Sequence, residues 1–428
     1  MEKLALLGGT PVITETPKEL FKWPIITEED EAAALEVIRE NKFSGTDITE
    51  KFCEEFAAYQ GRKYALAFSS GTMSLEAAMF AVGLGEGDEM ICTTKTYWAS
   101  AAQANNLGAK VKFCNINENL SMDPTDLERC ITPKTKAIMV VHYAGYPCDM
   151  DPIMEIAKKH NLIVIEDCSH AQGGMYKGKM LGTFGDIAAM SMMSQKSFAA
   201  GEMGMMVTDS RVHYERCIAY AHHERNNANY IKECDDLKKY FAMPLSAYKG
   251  RCNQLCAALG RVQLKYYDER CAEVRAAMNY FWDLLEGVPG IRPIRVDEST
   301  GSNMAGWYAP MGRYVAEELH GLSVNRFCEA VRAENDGQCG PGGNACLHTH
   351  EFFRTWAKHP NTADDEALQR SVDIECFSIP HFKHLDKEWI EKYAAGFKKV
   401  VENHEQLLEG DEHRAQDVRW IGTGAKVR

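Results

Sequence analysis

Residues Leu162–Gly204 read LIVIEDCSHAQGGMYKGKMLGTFGDIAAMSMMSQKSFAAGEMG, and the fold turns on how they are parsed. LIVIED is a short apolar run closed by Asp167, which reads as a strand buried on both faces. Asp186–Met193 is a second such run, and Met203–Thr208 a third, with a short loop carrying Lys196 between them. Upstream, Lys63–Phe68, Glu89–Thr93, Lys110–Asn115 and Ala137–His142 repeat the pattern. Amphipathic stretches alternate with these runs; in Asp151–His160 the apolar Ile153, Ile156 and Ala157 recur at helical spacing. Buried strands joined by helical crossovers predict an α/β fold with a large, mainly parallel sheet. Ligands of such sheets sit outside the carboxyl ends of the strands.

The ends of three predicted strands carry chemistry. Asp167 closes LIVIED; it could bind a metal, orient a histidine, pair with a protonated ring nitrogen, or simply cap the next turn. Ser70-Gly71-Thr72 opens a helix directly after Lys63–Phe68, where free N–H groups and the helix dipole can hold a phosphate. Glycine there lets the backbone approach closely, and an ordinary N-cap is the plain alternative. Tyr97 and Trp98 follow the strand Glu89–Thr93 and can stack on a planar ring or fill a rim position. Lys196 lies among apolar neighbours, and desolvation that lowers an amine pKa suits imine chemistry. A loop lysine is otherwise a solvated one.

The chain has 428 residues, 45% hydrophobic and 25% charged, enough for a large core with a smaller domain appended. The expected division is an amino-terminal arm over 1–28, a large domain over 29–270, a smaller carboxyl-terminal α+β domain over 271–410 and a polar tail over 411–428. Within it, 255–286 reads as a long helix and Lys387–Leu408 as another. The formal charge of -13 argues against nucleic acid or an anionic membrane as the main partner. The first residues lack the basic flank and apolar core of a signal peptide, and no apolar stretch is long enough to span a bilayer. Fifteen cysteines at irregular spacing, with no C-x-x-C pair, read as reduced cytoplasmic thiols. Cys339, Cys346, His348 and His350 lie close in sequence but match no standard zinc spacing, so no metal is expected. Gly83-Leu84-Gly85-Glu86-Gly87 follows a helix and precedes a strand, the reverse of a dinucleotide fingerprint, and reads as a helix C-cap and turn.

Six segments, in order, resemble the DegT/DnrJ/EryC1/StrS family of sugar aminotransferases: FSSGTMSLEAAM, TYWAS, VHYAGYPCDMDPI, VIEDCSHAQGGMYKGKMLGTFGD, SMMSQKSFAAGEMG and KGRCNQLCAALGRVQL. The likeness runs from about Trp23 to Leu408. LALLGGTPV at the start and IPHFKH near the end look like the branch acting on inososes and other cyclitols. The resemblance implies the fold type I, aspartate aminotransferase-like architecture and pyridoxal phosphate (PLP), cycling with its pyridoxamine form. Lys196 matches the family's Schiff-base lysine and Asp167 the partner of the pyridine nitrogen. His170 matches the residue beside the phenolic oxygen, Tyr97 the stacking aromatic, and Gly71, Thr72 and Ser191 the phosphate contacts. It further implies an amino-acid donor, glutamate or glutamine, and a keto-sugar or keto-cyclitol acceptor. Family members are homodimers with shared sites, so the segment around Lys249 and Arg251 is expected in the partner's site.

Two positions depart from the pattern. Lys249-Gly250-Arg251 stands where the family has Asn-x-Arg, and Met203 where it has glycine; both bear on substrate identity more than on reaction type. Two rival functions are a pyridoxamine-dependent sugar dehydratase of the same family and a non-catalytic cofactor-binding regulator. The familiar 3-dehydratases carry histidine where this chain has Lys196, and no DNA-binding appendage is visible.

Overall fold

The structure is a computed structural model and describes residues 2–360 and 365–411. The seven apolar runs form one sheet. They are β1 (Tyr64–Phe68), β2 (Glu89–Thr93), β3 (Lys110–Cys114), β4 (Thr135–Val141), β5 (Ile163–Asp167), β8 (Ile187–Ser191) and β9 (Gly204–Thr208). A small hairpin, β6 (Met175–Tyr176) with β7 (Lys179–Met180), lies between β5 and β8. The order across the sheet is β1-β9-β8-β5-β4-β2-β3. β8, β5, β4, β2 and β3 pair in parallel, while β9 runs against both β1 and β8. The sheet is therefore parallel except for one strand, and β1, β2, β4, β5 and β8 all end at the same edge.

The composition of the strands explains why both faces are covered. In β4, Ala137, Met139 and Val141 enter one core while Ile138 and Val140 enter the other. Helices Gly71–Ala81 and Arg211–Ala221 supply the first core with Leu75, Ala78 and Cys217. Helices Asp47–Gln60 and Met150–Lys159 and the start of Gln254–Leu284 supply the second with Phe52, Phe56, Ile153 and Ala257. Period-two alternation of buried apolar residues on each strand is what a doubly covered sheet requires.

A second, antiparallel sheet follows, in the order β10 (Ile291–Pro293), β11 (Met311–Tyr314), β13 (Cys376–Ser378), β12 (Gly340–Pro341). Its core takes Phe281 and Trp282 from the far end of helix Gln254–Leu284, together with Phe327, Phe377 and Phe397. The boundary drawn at 270/271 thus falls inside one continuous helix that serves both cores. Leu4, Ile13 and Leu20 of the arm are buried in this same third core. The Glu334 carboxylate ties the arm down, accepting from Ala5 N at 2.7 Å and from Lys399 Nζ at 3.0 Å.

Lys387–Leu408, expected as one helix, is two: Lys387–Glu402 and Glu405–Leu408. Asn403 breaks it. Its Nδ2 donates to the Lys399 carbonyl at 2.9 Å, a local bond that competes with helix continuation. The polar tail lies, beyond Asp411, outside the described residues.

Candidate active site

At the carboxyl edge of the large sheet, facing the small sheet, lies a cavity of about 910 Å3. Ser70, Gly71, Thr72, Tyr97, Asp167, His170, Ser191 and Lys196 all line it. Eight of the ten residues singled out from sequence therefore meet in one place.

The floor is made where β1 and β8 end and β9 begins, with Gly204 paired to both Phe68 and Ser191. Ser70 caps helix Gly71–Ala81, its Oγ accepting from Met73 N at 3.2 Å. A Cβ on Gly71 would stand 2.5 Å from Ser191 Cβ, and one on Gly204 would stand 2.3 Å from the Ser70 carbonyl oxygen. Neither position has room for a side chain, so the helix N-terminus and Ser191 press directly on one another. This juxtaposition leaves unpaired N–H groups and a positive dipole end beside a serine, a cradle suited to phosphate.

Asp167 is buried, and both its carboxylate oxygens accept hydrogen bonds. Ser169 N donates to Oδ1 at 2.9 Å and Ser100 Oγ to Oδ2 at 2.7 Å. Thr96 Oγ1 sits 3.0 Å from Ser100 Oγ and completes a short chain into the TYWAS segment.

Lys196 is buried as well. Burial lowers its amine pKa to about 8, with Asp167 acting in the opposite direction. Its Nζ lies 4.0 Å from the centre of the Tyr308 ring. The Lys196 carbonyl accepts from Trp23 Nε1 at 2.8 Å. His170 Nδ1 accepts from Ala144 N at 3.2 Å, which leaves any ring proton on Nε2. Burial, and the charge of Lys196, hold the His170 pKa well below the ordinary histidine value. The imidazole is neutral and packs against Tyr308 with ring centres 4.4 Å apart.

The other two residues lie elsewhere. Arg251 is drawn to the Glu224 carboxylate and to the Ser44 carbonyl at 2.9 Å, and Lys249 is on the surface. Neither lines this chain's cavity. Met203 is fully buried in the second core, with Phe52 and Phe198, and so does not shape the pocket wall directly.

Several lining or supporting residues were not assigned to the site from the sequence, although Ser100 and His381 lie in the quoted TYWAS and IPHFKH segments. Trp23, Ser100, Tyr308, Gly342–Asn344 and His381 reach the site from turns and irregular segments, and Arg332 from the last turn of helix Val324–Glu334. Ser100 stands three residues beyond Tyr97 in the same strand-end segment.

Behind Asp167 a buried pair supports the strand ends. His142 Nε2 lies 3.2 Å from Glu166 Oε2, and the same carboxylate accepts from Gly182, Phe184 and Gly185 N–H at 2.7, 2.8 and 2.7 Å. Cys168 stands close enough to the pair to suggest a metal triad. The Glu166 oxygens are already saturated by donors, which argues for a structural role.

The residues fit a planar, phosphate-bearing, carbonyl cofactor. An anion cradle, an aromatic beside it, a hydrogen-bonded carboxylate and a buried amine of low pKa share one cavity. A model of the DegT/DnrJ/EryC1/StrS aminotransferase family matches residues 24–398. A Micromonospora echinospora protein named "Putative L-glutamine:3-amino-2,3-dideoxy-scyllo-inosose aminotransferase" is 29% identical over 100% of this chain and 97% of its own length. The GDP-perosamine synthase of Caulobacter vibrioides is 38% identical over 82% of this chain and 89% of its own. Among solved structures, the aminotransferase from Psychrobacter cryohalolentis superposes with a TM-score of 0.79 at 28% identity, covering 89% of this chain and 98% of that one.

Proposed function

Because this chain belongs to the DegT/DnrJ/EryC1/StrS aminotransferase family, we propose that it moves an amino group from glutamate or glutamine to a keto-sugar or keto-cyclitol, using pyridoxal phosphate held on Lys196. The observation that carries this reading is the convergence of Lys196, Asp167 and the Gly71–Ser191 cradle on a single cavity.

Pyridoxal phosphate, when bound, supplies an aldehyde that takes up the amino group and a ring that accepts the electrons of the broken Cα–H bond. The chain's own residues do the rest. Gly71, Thr72 and Ser191 would hold the phosphate, Tyr97 would cover the ring, and Asp167 would face a protonated ring nitrogen. Lys196, with a pKa of about 8, has a substantial neutral fraction near physiological pH. Its Nζ can take the proton from the donor's α-carbon and give it up again, the work of a matched general base and acid. His170 stays neutral, so it can serve as a hydrogen-bond partner for the cofactor's phenolic oxygen without adding charge.

The acceptor class rests on the relatives, whose printed names include an inosose aminotransferase and a GDP-perosamine synthase. We assign the enzyme to the cytoplasm, where fifteen free, buried cysteines would stay reduced. No helix among the described residues is long and apolar enough to cross a membrane.

A homodimer with shared sites is part of the proposal. Lys249 is exposed on a segment that also exposes Tyr240, Met243 and Tyr248, at 42%, 64% and 54%, apolar surface that a second copy would cover. Mixing two inactive variants, K196A and K249A, tests it. Shared sites predict recovery of activity on mixing; no recovery, or a monomer in light scattering, rejects the arrangement.

For the reaction itself, K196A should lose both turnover and the visible absorbance of bound pyridoxal phosphate. Retained transamination by K196A would refute the assignment. Screening the pyridoxamine-loaded protein against keto-sugars and inososes identifies the acceptor.

A further inference from the structure

Lys383 is 4% exposed, and no carboxylate partner is found for it among the described residues. A buried amine without a counter-charge is unfavourable, so its surroundings should compensate. Two groups do. The Trp23 ring lies 4.5 Å from Nζ, a cation–π arrangement, and His381 Nδ1 lies 3.2 Å away and can accept from the amine while Nε2–H faces the Gly306 carbonyl. The Lys383 backbone N–H also donates to the Leu20 carbonyl at 3.2 Å, tying this segment to the arm.

Both partners lead to the same lysine. Trp23 donates to the Lys196 carbonyl at 2.8 Å. His381 lines the cavity and is 3.2 Å from the Gly306 carbonyl, two residues before Tyr308, whose ring covers Lys196 Nζ. That loop needs holding. Ala305, Trp307 and Ala309 have φ of 46°, 46° and 45°, a left-handed conformation that costs of order 1 kcal/mol or more at each non-glycine residue. His381 bonds to it between the first two of these.

We infer that Lys383 is a positioning residue for Lys196: through Trp23 it fixes the lysine's backbone, and through His381 it fixes the Tyr308 ring against the amine. The inference rests on the reading of Lys196 as the reactive amine. The titratable groups facing Lys383 are His381 on its own segment and Cys271 on helix Gln254–Leu284. Glu273 of that helix is engaged by His384 at 3.2 Å and by Leu385 N. Burial brings the Lys383 pKa down to about 7, so the pair can hold together with little net charge at neutral pH.

The test uses the full chain as wild type, K383M and K383R. Two quantities are read: the kcat and KM of the loaded enzyme, and the pH dependence of Lys196 acylation in cofactor-free protein, by peptide mass spectrometry. Misplacing a catalytic group slightly can cost one to two orders of magnitude, so K383M should lower kcat about tenfold or more with the donor KM nearly unchanged. Its Lys196 acylation midpoint should move above that of wild type as the amine loses its burial, and K383R should restore both. An unaltered kcat and midpoint in K383M would overturn the inference, as would a K383R protein that melts like wild type yet is as defective as K383M. If K383M does not fold, H381N is judged on the same two readouts by the same criteria. A wild-type Lys196 that never takes up pyridoxal phosphate would sink the functional reading instead, while the acylation profile would still report on Lys383.

Discussion

Ser100 Oγ donates to Asp167 Oδ2 at 2.7 Å, linking the loop after β2 to the end of β5 across the strand that separates them. The carboxylate's second oxygen depends on this one hydroxyl, because Ser169 N serves the other. The Asp167 side chain is thus aimed by two elements that are far apart in sequence.

Removing that hydroxyl tests the aim. A hydrogen bond to a charged group is worth about 1.5–3 kcal/mol, so S100A should lower kcat/KM by roughly tenfold to a hundredfold. D167N should be worse. Steady-state kinetics with a matched donor and acceptor would check both, and an S100A enzyme as active as wild type would show that Ser100 is dispensable.

Gly71 has no space for a methyl group, since its Cβ would meet Ser191 Cβ at 2.5 Å and Ser191 Cα at 2.7 Å. Overpacking of this kind costs about 1–3 kcal/mol. G71A should therefore melt lower and retain pyridoxal phosphate more weakly on dialysis. Equal retention and melting would mean that the strand end can yield.

The reactivity of Lys196 should follow its lowered pKa. In cofactor-free protein, capture of an aldehyde at Lys196 should rise with pH through a midpoint of about 8, where an ordinary lysine would titrate near 10.5. Between those values the unfolded chain binds a proton that the folded chain does not, so this group's contribution to stability increases with pH across the same window. Stopped-flow absorbance measures the midpoint; a value at or above 10 would contradict the burial argument.

The His142–Glu166 pair makes a prediction about stability. Burial opposes the charge on His142, yet bonds to Cys148, Cys168 and Glu166 hold its pKa well above the ordinary 6.5. Burial opposes the charge on Glu166 too, but His142 and the Gly182 and Gly185 N–H groups pull its pKa below 4.5. The His142 contribution is thus complete below about pH 6.5 and is lost as pH rises through its raised value. The Glu166 contribution is present above 4.5 and is lost as pH falls through its lowered value. Removing one partner of a buried pair costs about 3–5 kcal/mol, so E166L should unfold far more readily in urea, and E166Q by a smaller margin. E166L unfolding at the wild-type midpoint would refute the structural role.

Much of this molecule was legible in the primary structure, for a local reason. Buried parallel strands are continuous apolar runs, and the chemical groups that matter at their ends, Asp167, Ser70 with Gly71, and Tyr97, sit beside those runs in the chain. Period and adjacency therefore located the sheet and the main lining of its carboxyl edge. The interruption at Asn403 was invisible, because it depends on which carbonyl one amide side chain happens to reach.

Only the tertiary structure could decide what holds Lys196 in place. Trp23, Tyr308, His381 and Lys383 come from the amino-terminal arm and from two loops beside the small sheet, more than a hundred residues away on either side. Irregular segments have no repeat to betray which way a side chain points. Those residues meet at the amine because the arm and the small sheet share one apolar core, and it is the packing of Leu4, Ile13 and Leu20 with Phe281, Phe377 and Phe397 that draws them together.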